Sequence, residues 1–224
     1  MSEPGACATE SLLAVSFGEV EAISRKAARG AGMPWGLAEE AGVSVRAVTA
    51  WRLPGLDALA ALLTRIDRRT ADYQPHGGHH EFATPAGLLC PIATGACLSD
   101  WPDRLVSREA IVLPPVLSPL LLCPFLATLA DDGATRLEWE GGTLVCGNAG
   151  PCGPTPDAFV VDASPLRLAR TAAPARAKRR APPLGYQVRM SVWRALEGFA
   201  ARTYVPASES SRASGAGAGT IDND

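Results

Sequence analysis

The feature that most limits what this chain can fold into is a change in the spacing of its apolar residues. Between residues 16 and 69 they recur every three or four positions, the period of a helix face, whereas beyond residue 84 they fall into short runs of strand length. A chain built this way is neither a pure helical bundle nor an alternating βα array, and the expected class is α+β, with a helical N-terminal unit packed on a mixed sheet of short strands. Ser16 stands three residues before Glu19, the spacing of a capping box, so the first helix starts there and runs to about Arg29, where Gly30 and Gly32 stop it. Pro34 opens a second helix that keeps its apolar period from Trp35 to Leu53, and Pro54 ends it. A third, with Leu56, Leu59, Leu62, Leu63 and Ile66 on one stripe, covers 55–66.

The remainder divides by composition. Residues 1–15 read as a flexible N-terminus, and 16–224 as one α+β domain made of the helical unit (16–69), a β-rich part (85–162), a basic excursion (163–190), then a last helix and a glycine-rich tail (191–224). Strands are expected at 88–92, 110–113 and 159–161, with a hairpin whose arms, 136–140 and 143–146, flank Gly141-Gly142. The stretch 117–129 reads as a strand entering a helix. Residues 163–196 hold eight arginines or lysines and no acid, with Pro174, Pro182 and Pro183 among them, which predicts a surface excursion.

Composition excludes some functions. In 224 residues, 47% are hydrophobic and 20% charged, enough apolar material for a core, and a net charge of -2 removes the bulk basicity of a nonspecific nucleic-acid binder. Glu3 and Glu10 occupy the place where a secretory signal would carry positive charge, and prolines cut the longest apolar stretch, so the chain is expected to be cytoplasmic, with no membrane partner. No Cys-x-x-Cys pair exists among the six cysteines, and neither a phosphate loop nor a dinucleotide fingerprint is present; the spacing identifies no cofactor and no metal site. His76, His79, His80 and Glu81 sit in a glycine-flanked stretch with no rigid element to hold a metal in geometry.

Three local patterns carry chemistry. Residues 36–51, GLAEEAGVSVRAVTAW, mimic a DNA-reading helix-turn-helix in which Ser44 would cap the recognition helix and Arg46, Thr49 and Arg52 would face the duplex. Only eight cations stand against six acids between residues 16 and 70, too thin a positive surface for nucleic acid to be the expected partner. Cys90 ends an apolar run beside a small-residue turn, which makes it a candidate nucleophile without an identified base. The tail combines Ser208, Ser211 and Arg212 with Gly215, Gly217 and Gly219, then Asp222 and Asp224; alternate glycines let backbone amides approach an anion, and the hydroxyls and guanidinium supply donors.

The segment EVEAISRKAARGAGMPWGLAEEAG (19–42), with CPIATGACLSD (90–100) and the terminal TYVPASESSRASGAGAGTIDND (203–224), resembles a bacterial family of unknown function, domain-of-unknown-function family 3726. That resemblance implies a single cytoplasmic domain, a long unbroken helix where Val43-Ser44-Val45 suggests a turn, and a tail that belongs to the family pattern. It implies no reaction, cofactor or catalytic residue.

The reading that follows is a binding protein or enzyme for a small anionic metabolite, with the tail folded over the first two helices. Lys26, Arg29 and Arg212 would surround one pocket with Trp35 as its apolar wall and Glu39 or Glu40 as acid or base, and Ser208, Ser211, Gly215, Gly217, Gly219, Asp222 and Asp224 would contribute from the tail. The alternatives are a noncatalytic assembly subunit, in which the arginine-rich region docks an acidic protein partner, and a helix-turn-helix regulator.

Overall fold

The structure is a computed structural model that describes residues 10–76, 82–101, 110–129, 133–154, 157–173 and 185–204. It opens with a short strand, β1 (Leu12–Val15), followed by α1 (Phe17–Gly30), α2 (Trp35–Ala50) and α3 (Gly55–Ile66). The capping box at the start of α1 is complete: the Glu19 N–H donates to Ser16 Oγ, and the Glu19 carboxylate accepts from the Ser16 N–H at 2.8 Å. Small side chains let α1 and α2 approach closely. A Cβ on Gly42 would stand 3.1 Å from the Glu21 carbonyl oxygen, while Ala27, Ala28, Ala38 and Ala41 are wholly buried.

α2 is continuous through Val43-Ser44-Val45, so the helix-turn-helix has no turn. Ser44 is no cap; its buried hydroxyl donates to the Leu121 carbonyl at 2.8 Å, which ties the middle of α2 to the segment beyond the first long strand. Arg46, expected to face DNA, pairs with Glu21 of α1 at 2.8 Å. Packing against a neighbouring element, invisible in local spacing, decided this stretch.

The next elements are α4 (Pro91–Asp100), β2 (Ile111–Leu117), a 3-10 turn (Pro119–Leu122), α5 (Cys123–Thr128), β3 (Ala134–Trp139), β4 (Gly142–Gly147), β5 (Gly150–Cys152), α6 (Ala158–Val161), β6 (Ala163–Thr171), β7 (Tyr186–Arg189) and α7 (Met190–Ala200). Five strands form a sheet in the order β2-β6-β3-β4-β5, every ladder antiparallel; the parallel element is an isolated bridge between Leu89 and Val116. β1 and β7 make a separate two-stranded ribbon, so residues 12–15, expected within a flexible N-terminus, are instead a strand paired with a segment far along the chain. The α+β class holds.

Several elements depart from expectation for physical reasons. The run 88–92 supplies only the Leu89 bridge, because Pro91 takes the first position of α4, where a missing N–H costs nothing. Residues 159–161 belong to the short helix α6, whose Phe159 ring lies 4.5 Å from that of Trp139. β2 continues through Pro114 and Pro115; they sit on an edge strand at a register shift, and the Pro115 carbonyl accepts from the Leu89 N–H at 2.8 Å. The basic excursion contains the second strand of the sheet: in β6, Leu166 and Leu168 are buried while Arg167 and Arg170 are exposed. Arg167 caps a cross-strand ion ladder with Glu138 (2.7 Å), which also holds Arg136 (2.8 Å). Its cluster Arg176, Lys178, Arg179 and Arg180 lies outside the described residues.

One core runs from Val20, Val45 and Leu59 of the helices to Leu137, Leu144 and Leu168 of the sheet. α7 closes it on the helical side, where a Cβ on Gly30 of α1 would stand 1.8 Å from the Phe199 carbonyl oxygen. That approach places the last turn (Ala201–Thr203) and Tyr204 against the end of α1.

Candidate functional site

The close approach of α7 to Gly30 brings two distant parts of the chain to one surface. α1 ends at a tight turn in which Gly32 has a φ of 103°, a conformation suited to glycine. Residues after α3 brace that turn: the Arg68 N–H donates to the Ala31 carbonyl at 2.9 Å, and Thr70 Oγ1 to that of Gly32 at 3.0 Å. Arg29 reaches across it, donating from Nη1 to the Met33 carbonyl at 2.9 Å, with its guanidinium 5.0 Å from the centre of the Trp35 ring. Trp35 is 64% exposed, unusual for so large an aromatic.

Arg29, Gly30, Gly32 and Trp35 share a cleft of about 380 Å³ with Arg202 and Thr203. Arg202 is held in place by Asp67, with Nη1 2.6 Å from Oδ1, and by the Phe199 ring 4.7 Å away. Each guanidinium thus has one donor anchored and others left over, since the group carries five N–H bonds. The result is a cationic cleft with an indole wall, suited to a carboxylate or phosphate on a body with a flat or apolar face. No carboxylate, histidine or thiol is among the described residues that line it.

The structure separates residues that the sequence reading placed together. Lys26 opens into a second cleft of about 410 Å³, with Glu19, Trp193, Glu197 and Tyr204. There its Nζ donates to the Tyr204 hydroxyl at 3.3 Å and lies 5.5 Å from the ring centre. Both clefts take part of their wall from residues 201–204, Lys26 lining one and Arg29 the other. Glu39 pairs with Arg25 at 3.2 Å. Glu40 borders a third groove, of about 270 Å³, with Val43, Trp51, Phe125 and Asn148. Neither carboxylate lines the Arg29–Trp35 cleft.

Cys90 is buried at the start of α4, where burial pushes its thiol up to about 11 despite backbone N–H donors from Ala93 and Ile92. A thiol so placed is protonated at neutral pH, the opposite of an activated nucleophile. Among the described residues, no group of three or more histidines, cysteines, aspartates or glutamates could hold a metal. His79, His80 and Glu81 lie outside those residues, as do Ser208, Ser211, Arg212, Gly215, Gly217, Gly219, Asp222 and Asp224. Arg202 and Thr203 were not among the expected site residues, and no local spacing signals them; only the packing of α7 on α1 carries them to the cleft.

Residues 15–87 match the model of a family described as protein of unknown function DUF3726. The resemblance read from the amino acids therefore holds over this segment, a third of the chain, which carries α1 to α3 and with them Lys26, Arg29, Trp35, Glu39 and Glu40. Cys90, Arg202 and the tail fall outside the match. Neither the curated proteins nor the solved structures yield a match. No helix among the described residues is long and apolar enough to cross a membrane.

Proposed function

We propose that the protein is a binding protein or enzyme for a small anionic metabolite, and that the anion lies in the cleft of Arg29, Trp35 and Arg202. The observation that carries this reading is the convergence of two guanidinium groups and an exposed indole where the helical unit meets the last turn of the chain. Residues of the tail complete the site: Ser208, Ser211 and Arg212 add donors, and Gly215, Gly217 and Gly219 let backbone N–H groups approach the anion. Asp222 and Asp224 are the counter-charges of the same region. A bacterial cytoplasm is the setting that the composition favours.

Calorimetric titration with inorganic phosphate and a panel of small carboxylates tests it. Arg29→Gln is expected to weaken the best anion about 10-fold or more, since a charge-assisted hydrogen bond contributes roughly 1.5 to 3 kcal/mol, and Trp35→Ala to weaken ligands with a flat or apolar body more than phosphate. A protein that binds no anion, or one whose Arg29→Gln variant binds as the wild type does, overturns the proposal.

The alternative, a noncatalytic assembly subunit, draws on the exposed Arg167 and Arg170 of β6 beside Val112, which is 72% exposed on β2. Native mass spectrometry separates the two. A stoichiometric protein partner that survives moderate salt favours assembly, and a retained small molecule favours the cleft.

A further inference from the structure

We infer that the cleft of Lys26, Glu19 and Glu197 is a second binding site, and that its ligand is an ω-amino acid, an unbranched chain with an ammonium at one end and a carboxylate at the other. The cleft shares no lining residue with that of Arg29, Trp35 and Arg202, so the inference goes beyond the anion-binding reading and does not depend on it. At about 410 Å³ it has the size of a small-molecule site, and it carries both signs of charge. Those charges do not neutralise one another: among the described residues, neither Lys26 nor Glu19 nor Glu197 enters a salt bridge. Each is tied elsewhere. Glu19 Oε2 accepts from the Ser16 N–H at 2.8 Å and from its hydroxyl at 2.7 Å, which draws the carboxylate towards the start of α1. The same bonds hold the Glu19 carboxyl below the usual range, so it is charged at neutral pH. Glu197 Oε1 accepts from Trp193 Nε1 at 2.8 Å, one turn nearer the start of α7. Lys26 Nζ donates to the Tyr204 hydroxyl, past the end of α7.

The spacing selects the ligand. Glu19 precedes Lys26 by seven residues on α1, and Glu197 precedes Tyr204 by seven; seven residues of helix rise about 10 Å. The intervening residues that line the cleft are Ala22 and Ile23 of α1, with Ala200 and Ala201 at the end of α7 and in the turn after it, and their side chains offer hydrocarbon alone. Each charged group keeps bonding capacity for a ligand: among the described residues, Glu19 Oε1, Glu197 Oε2 and two of the three Lys26 N–H bonds have no partner. A simple anion would face two carboxylates, and a simple cation would face Lys26. A carboxylate for Lys26 and Tyr204, an ammonium for the acids and methylenes between them leave neither sign unmatched. The Trp193 indole beside Glu197 adds an aromatic surface, which attracts an ammonium. An α-amino acid carries the same two charges one carbon apart, too close for groups held two turns apart.

Calorimetric titration of the full chain with 6-aminohexanoate tests this. The comparisons are its isomer norleucine, which moves the ammonium next to the carboxylate, and hexanoate and hexylammonium, which keep one charge each. 6-Aminohexanoate is expected to bind saturably and at least about 10-fold more tightly than any of the three. Lys26→Met and Glu197→Gln change exposed side chains and are each expected to weaken it about 10-fold, whereas Lys26→Arg, which keeps the charge, should stay within about three-fold of wild type. Circular dichroism checks the fold of each variant, and Glu197→Gln carries the test alone should Lys26→Met fail to fold. No saturable binding, or equal binding of norleucine or of either single-charge compound, overturns the proposal, as does wild-type affinity in a folded Lys26→Met or Glu197→Gln. Binding that is lost in Arg29→Gln but kept in Lys26→Met places the compound in the anion cleft and overturns it too.

Discussion

Ser16 and Ser44 are the same residue type in opposite roles, and the difference lies in how far away the partner is. Ser16 finds its partner three residues on, so its capping box is legible in the sequence and present in the structure. Ser16→Ala should cost about 1 kcal/mol by loss of the cap. The Ser16 backbone N–H, then its hydroxyl, hold the Glu19 carboxyl below the usual range. A lowered carboxyl contributes stability that is present above its unfolded pKa, about 4.3, and lost as the pH falls further. The gap between wild type and Ser16→Ala in urea melts should therefore be full at pH 7 and shrink below about pH 4.

Ser44 finds its partner 77 residues away. Ser44→Ala should cost about 1 to 3 kcal/mol, because the buried Leu121 carbonyl loses its donor; a helix-cap role would instead predict fraying of α2, which circular dichroism would register. Cys90 gives a pH signature of the other sign. Its thiol, raised to about 11, contributes stability that is complete below the unfolded value of about 8.5 and is lost as the pH rises towards 11. Wild type should lose stability relative to Cys90→Ala over that window, and an alkylating reagent at pH 8 should leave Cys90 unmodified in the folded protein.

At the scale of elements, close approaches decide more than intrinsic preference. Gly95 lies inside α4, where alanine is the better helix former by about 1 kcal/mol. A Cβ there, however, would stand 2.3 Å from the Phe125 ring of α5. Gly95→Ala should therefore lower stability by about 1 to 3 kcal/mol in denaturant melts, through overpacking; a gain would mean that Phe125 can swing away freely. The same logic explains which elements were readable. α1, α2, α3 and the hairpin of β3 and β4 have their start, stop or turn signals in adjacent residues. β6 was hidden because its arginines look like a solvated run until the alternate leucines are set against β2 and β3, where one face meets the core and the other meets Glu138. Phe159 is apolar and short-range neutral, and its helix follows from packing on Trp139.

At the scale of the molecule, the expected single pocket becomes two clefts, since α7 lies against Gly30 and residues 201–204 form part of the wall of both, Lys26 lining one and Arg29 the other. The continuous α2, with Arg46 committed to Glu21, removes the recognition helix. A gel shift at low salt should accordingly show no retardation of duplex DNA that depends on Arg46 or Arg52; dependence on both would restore the regulator reading.

The amino acids alone settled the α+β class, the three opening helices, the hairpin and the cationic, tryptophan-bearing end of the first helix pair, because each rests on contacts within a few positions. The partner of Ser44, the place of β6 in the sheet and the arrival of Arg202 beside Arg29 and Trp35 belong to the tertiary structure. They join residues far apart along the chain, through packing that no local period encodes.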